Sequence, residues 1–124
     1  MRLLLDTHVL LWWRDNSSNL SPRAHGAIAD PANEILISTA TLWEIVIKRG
    51  LGKLRFPDDL EDVLREEAFT LAPIGFRHLR CLEALPLLHK DPFDRMLVAQ
   101  AMIEGAPLVT NDGALSGYGA PLLW

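Results

Sequence analysis

The strongest constraint on this fold is an alternation. Short apolar runs stop at an acid or a hydroxyl, and each is followed by a longer stretch with helical periodicity. Leu3-Leu4-Leu5 ends at Asp6, and a helical pattern runs from Thr7 to Trp13, with Asp6 or Thr7 able to cap it. Ser21-Pro22 is an N-cap and first-turn pair for a second helix reaching Asp30, before Pro31. Glu34–Ser38 reads as the second strand, and a third helix covers Ala40 to Arg49, ended by Gly50 and Gly52. Asp58 or Asp59 opens a fourth helix, where Leu60, Val63 and Leu64 have the spacing of a buried stripe. Phe69-Thr70-Leu71 is the third strand, and Phe76, Leu79 and Leu82 outline a fifth helix. The sixth helix starts at Asp91-Pro92 and runs to Glu104, with Gly105 as its stop. Leu108-Val109-Thr110 is strand four, a helical turn follows Asp112, and Pro121-Leu122-Leu123 is an edge strand. The alternation predicts an α/β domain with a mostly parallel central sheet. A chain of 124 residues fits one domain spanning positions 1–124 and is too short for two.

Composition removes several function classes. No window approaches the roughly eighteen apolar residues of a membrane span. Asp6 interrupts the N-terminal apolar run, so a signal peptide is not expected. The single cysteine, Cys81, rules out an internal disulfide framework, suits a reducing cytoplasm, and reads as a core thiol. His78, Cys81 and His89 lack the spaced partners of a zinc site. Neither a phosphate-binding glycine loop nor a nucleophile elbow is present. The net charge of −4 argues against indiscriminate coating of nucleic acid. That argument weakens if four acids form one cation site, because the remainder of the chain is then neutral.

Each of those acids has two readings. Asp6 is a ligand or the cap of the helix that follows it. Thr41-Leu42-Trp43-Glu44 matches a capping box, in which Glu44 would fold back on its own helix start. Asp91 is a natural cap before Pro92, and Asp94 suits the first turn of a helix on dipole grounds alone. Asp112 could cap the turn from Gly113. Together they say more. In a parallel α/β domain, Asp6, Glu44, Asp94 and Asp112 all fall at the carboxyl edge of the sheet. Carboxylates converging there repel and raise one another's pKa, and a hard divalent cation, magnesium or manganese, relieves this.

With Leu5-Asp6-Thr7, Glu44 within Ser38–Ile45, Asp91-Pro92-Phe93-Asp94-Arg95 and Val109-Thr110-Asn111-Asp112 in this order, the chain resembles the PIN-domain ribonucleases. More narrowly, it is similar to the VapC-type toxins of prokaryotic type II toxin–antitoxin pairs. The resemblance implies a Rossmann-like, three-layer PIN fold and cleavage of RNA dependent on Mg2+ or Mn2+. It implies that Asp6, Asp94 and Asp112 lie nearest the metal and that Glu44 binds it directly or through water. Thr110 would orient the last acid, and Thr7 would support the first. Where many relatives have asparagine after Asp-Thr, this chain has His8, which could sense pH or touch RNA. A VapB-like antitoxin and a second copy of the chain are the implied partners.

Lys48, Arg49, Lys53 and Arg55 form a basic run that is either a solvated face or a track for RNA phosphates. Arg95 would hold Asp94 or meet substrate. Trp12 and Trp13 are adjacent on a helix and cannot both face one core, so one is expected to be partly exposed, a candidate contact anchor. Two competing functions are a PIN-like binding module without catalysis and a phosphoacceptor built on Asp6. The second would want another carboxylate directly beside Asp6, and Thr7-His8 supplies none.

Overall fold

The computed structural model describes residues 1–124. Its strands are β1 (Arg2–Leu5), β2 (Glu34–Ser38), β3 (Thr70–Ala72), β4 (Leu108–Val109) and β5 (Leu122–Leu123). They form one sheet in the order β3-β2-β1-β4-β5, and every neighbouring pair is parallel. Parallel neighbours require crossovers. These are supplied by α1 (Thr7–Arg14), α2 (Pro22–Ala29), α3 (Thr39–Gly50), α4 (Leu60–Glu67), α5 (Phe76–Ala84), α6 (Pro92–Glu104) and a 3-10 helix at Gly113–Tyr118.

The period-two alternation of strand side chains divides the core between the two faces. Leu3, Leu5, Ile35, Ile37 and Val109 pack with Val9, Leu10, Ala24, Ile28, Ile45 and Val63 of α1 to α4. Leu4, Leu36 and Leu108 pack with Leu97, Val98 and Ala101 of α6 and with Leu115 and Tyr118. This gives the three layers that the resemblance implied. Each buried Leu, Ile or Val contributes roughly 1.5–3 kcal/mol. From β1 the chain builds toward β2 and β3, then returns to add β4 and β5 on the other side. The order therefore reverses between β1 and β4, and open α/β sheets bind ligands at the carboxyl end of such a border.

Several local expectations are corrected. Ser38 caps α3, its hydroxyl accepting the Ala40 N–H at 2.9 Å, so the helix starts at Thr39 and the Thr41–Glu44 capping box does not form. Glu44 lies in the second turn, free for another use. Trp12 and Trp13 are both half-buried, because each has its own aromatic neighbour. Trp12 packs against Trp124, and Trp13 against His25 and Phe69, with its indole N–H on Glu67 at 2.7 Å. The exposed indole is instead Trp43. Cys81 is half-buried rather than a core thiol, since α5 buries only His78.

Candidate active site

Asp6 follows β1 directly and occupies the N-cap of α1, so one carboxylate serves two purposes. Its Oδ1 accepts the His8 N–H at 3.3 Å, and its Oδ2 accepts the Thr110 hydroxyl at 2.7 Å. Thr110 stands just past β4, the neighbour of β1, and its Oγ1 also accepts the Asp112 N–H at 3.1 Å. A single buried hydroxyl thus locks Asp6 to the loop that carries Asp112. Burial is the largest influence on Asp6 and raises its pKa, and the charge of Glu44 adds to the rise. Asp112 is half-buried and caps the 3-10 helix through the Ala114 N–H at 3.0 Å.

Asp91 is the cap of α6, with Oδ1 accepting the N–H groups of Phe93 and Asp94 at 2.8 and 3.2 Å. Pro92 has no N–H to satisfy and presets the first turn. This start aims Asp94 at the sheet edge, where its Oδ2 lies 2.9 Å from His89 Nε2. The Tyr118 hydroxyl accepts the His89 N–H at 2.9 Å and fixes the loop. Burial pushes Asp94 up to about 6, Asp91 and Asp6 push the same way, and the His89 hydrogen bond opposes them.

Glu44 is 4% exposed. Its Oε2 accepts the Lys48 ammonium at 2.6 Å, one helical turn on, while its buried Oε1 has no hydrogen-bond partner. The hydrogen bond to Glu44 raises the Lys48 pKa, and the charges of Asp91 and Asp94 add to it, so Lys48 sits in the field of the acids. Thr7 donates to the Thr41 hydroxyl at 3.1 Å, tying the start of α1 to the turn of α3 that precedes Glu44.

Asp6, Asp94 and Asp112 line one cleft of about 420 Å3, together with His8, Trp12, Asn111 and Gly113. His89, Asp94 and Asp112 each bring a ligand atom within 4.8 Å of the others. Glu44 is not on the cleft wall and reaches it through its charge on Asp6. The donor set of the cleft fits a hard cation: carboxylate oxygens of Asp6, Asp94 and Asp112, two of these acids raised by burial. Of the basic run, Lys48 faces Glu44, and the Arg49 guanidinium donates to the carbonyls of Phe56 and Asp58 at 3.1 and 2.9 Å. Lys53 and Arg55 are exposed. Arg95 donates to the Leu85 carbonyl at 3.2 Å and lines an apolar groove beside α5, while the ion-pair partner of Asp94 is His89. The residue the sequence reading missed at this site is His89. Its only signal was standing five positions before Asp94 in an unpatterned loop.

Residues 3–120 match the family described as PIN domain. Ribonuclease VapC22 of Mycobacterium tuberculosis is 27% identical over 122 residues, covering 96% of this chain and 93% of that protein. Among solved structures, VapBC2 from Rickettsia felis bound to a promoter DNA fragment aligns with a TM-score of 0.70 at 19% identity, covering 100% of this chain and 98% of that one. A toxin–antitoxin complex from Klebsiella pneumoniae aligns at 0.63 and 20% identity, covering 98% and 96%. VapBC-1 from nontypeable Haemophilus influenzae aligns at 0.61 and 14% identity, covering 99% and 97%. At such identities these structures establish the shared fold.

Proposed function

This chain belongs to the PIN domain family, and from that premise we propose that it is a metal-dependent endoribonuclease, the toxin of a type II toxin–antitoxin pair. The observation that carries this reading is the convergence of Asp6, Asp94 and Asp112 on one cleft at the sheet's switch point. The similarity to a ribonuclease supports the substrate, and the toxin–antitoxin complexes among its structural neighbours support an antitoxin partner. A soluble toxin of this kind acts in the cytoplasm, and no helix here is long and apolar enough to cross a membrane.

Asp6, Asp94 and Asp112 would hold Mg2+ or Mn2+. When bound, such an ion stabilises charge on the scissile phosphate and lowers the pKa of an attacking water. The chain's own residues do the positioning. Thr110 holds Asp6 and the Asp112 backbone in one geometry, and Thr7 fixes the turn of α3 that presents Glu44. Glu44 Oε1, which has no hydrogen-bond partner, would accept a proton or orient the nucleophile, with Lys48 holding the other carboxylate oxygen. Lys53 and Arg55, both exposed, would follow RNA phosphates, while Lys48 holds Glu44 and Arg49 holds the neighbouring loop. A non-catalytic binding module would leave the buried, mutually repelling acids without a purpose.

The test uses the purified chain free of antitoxin. It should cut RNA with added Mg2+ or Mn2+ and stop with EDTA. Calorimetry should show Mn2+ binding that Asp94→Asn abolishes together with cleavage. Undiminished cutting by Asp94→Asn would overturn the assignment.

A further inference from the structure

The cleft is also lined by side chains that the metal chemistry does not use. Beside the acids, the cleft is lined by the half-buried Trp12, by His8, whose exposed ring lies 5.8 Å from the indole, and by the exposed Asn111. Trp12 is anchored from behind by Trp124, at 6.0 Å between ring centroids, and by the core under α1. An indole fixed in this way offers a stacking surface at little entropic cost. Asn111 precedes the candidate ligand Asp112 directly, and its amide pairs one donor group with one acceptor, the pattern that base edges present. The cleft volume of about 420 Å3 lies within the range of small-ligand sites, roughly 300–1,000 Å3.

We propose that Trp12 and Asn111 form a base-binding subsite beside the scissile phosphate: an unpaired nucleobase stacks on Trp12 while the Asn111 amide reads its edge. This rests on the nuclease reading for the position of the phosphate. A nucleotide whose phosphate sits at Asp6, Asp94 and Asp112 has its own base within reach of Trp12 and Asn111, which line the same cleft. His8, exposed, lines it with them. Single-stranded RNA is the occupant that uses the acids and these side chains together, since splayed bases on aromatic faces are the usual mode of its recognition.

The test is an abasic and base-identity scan of a short single-stranded RNA, read as kcat/KM with Mn2+. In the wild type, removing the base at one position beside the cut should lower kcat/KM on the order of 10- to 100-fold. In Trp12→Phe that penalty should shrink, and in Asn111→Ala discrimination among the four bases should flatten at that position alone. Asn111 lies on an exposed loop, so its variant reports even if Trp12→Phe folds poorly. Quenching of tryptophan fluorescence by the same RNAs, with Ca2+ present, reads binding without cleavage. Cleavage with no base-dependent position, or variants that keep the wild-type scan, overturns the subsite and leaves the nuclease reading intact. Base-dependent quenching lost in Trp12→Phe, without any cleavage, keeps the subsite and removes the nuclease. Variants that change only the oligomeric state assign these side chains to a protein contact and overturn the proposal.

Discussion

Asp94 is held in a place that opposes its charge, and the consequence can be measured without substrate. Its folded pKa is about 6 against an ordinary value of 3.8. A carboxylate raised in this way binds its proton more tightly in the folded state. Its contribution to stability is therefore most favourable below about pH 4 and is lost as pH rises through about 6. At neutral pH the ionised group costs roughly 1–3 kcal/mol, and with a side chain only 18% exposed it is little screened by solvent. Asp94→Asn keeps the shape and removes the charge. In metal-free buffer it should be about 1–3 kcal/mol more stable than wild type in urea at pH 7 and about equal to it at pH 4, while cleavage falls at least about 100-fold. Equal stability at pH 7 would mean that the carboxylate carries no strain. Saturating Mn2+ should reverse the order, since about 1,000 times the Kd stabilises the wild type by ~4.1 kcal/mol. Asp94 itself was legible in the sequence because a helix start points to it. His89 was not, because its approach depends on a loop fixed by Tyr118, far along the chain.

At the level of elements, the site depends on α6 being seated against the strand ends, and one polar side chain ties it there beside the apolar packing. Gln100 is fully buried on α6. Its amide donates to the Ala72 carbonyl at 3.1 Å, and its carbonyl oxygen accepts the Ser38 hydroxyl, so one residue bridges the ends of β2 and β3. Gln100→Ala should destabilise the chain by roughly 2–4 kcal/mol, combining a cavity with two stranded polar groups, with the urea m-value unchanged. A loss below about 0.5 kcal/mol would show that water or repacking replaces the bridge. Helix starts were the most readable part of the sequence. Ser21, Asp59 and Asp91 cap as their spacing suggests. The start of α3 was misread because Ser38, Thr39 and Thr41 all offer a capping hydroxyl, and only the pairing of Ser38 into β2 selects one. Strand order was not readable, since the crossovers permit it without dictating it.

For the whole molecule, the telling feature is an apolar surface on the helix that Phe76, Leu79 and Leu82 outline. Phe76, Leu79 and Leu82 have the spacing of a buried stripe on α5, yet Phe76 is 77% exposed and Leu79 is 45% exposed. Leu87, in the loop beyond, is 86% exposed, and these side chains line one groove of about 560 Å3 with Arg80, Glu83 and Arg95. Hydropathy gives a helix an apolar face, but it cannot say whether the chain's own sheet or another molecule covers it. The charges on this face would suit a second copy of the chain. Arg80 and Glu83 lie three apart on the same helix, so a two-fold contact between α5 helices can set Arg80 of one copy against Glu83 of the other on each side of the apolar centre. The chain should therefore sediment as a dimer at micromolar concentration, and Phe76→Glu with Leu79→Glu should make it a monomer of undiminished fold, since neither side chain belongs to the core. Arg80→Glu and Glu83→Arg should each weaken the dimer by repulsion across the two-fold, and the double reversal should restore it. A wild type that stays monomeric, or reversals that fail to compensate, would assign this face to a partner of different sequence, and the antitoxin would then be the occupant to test.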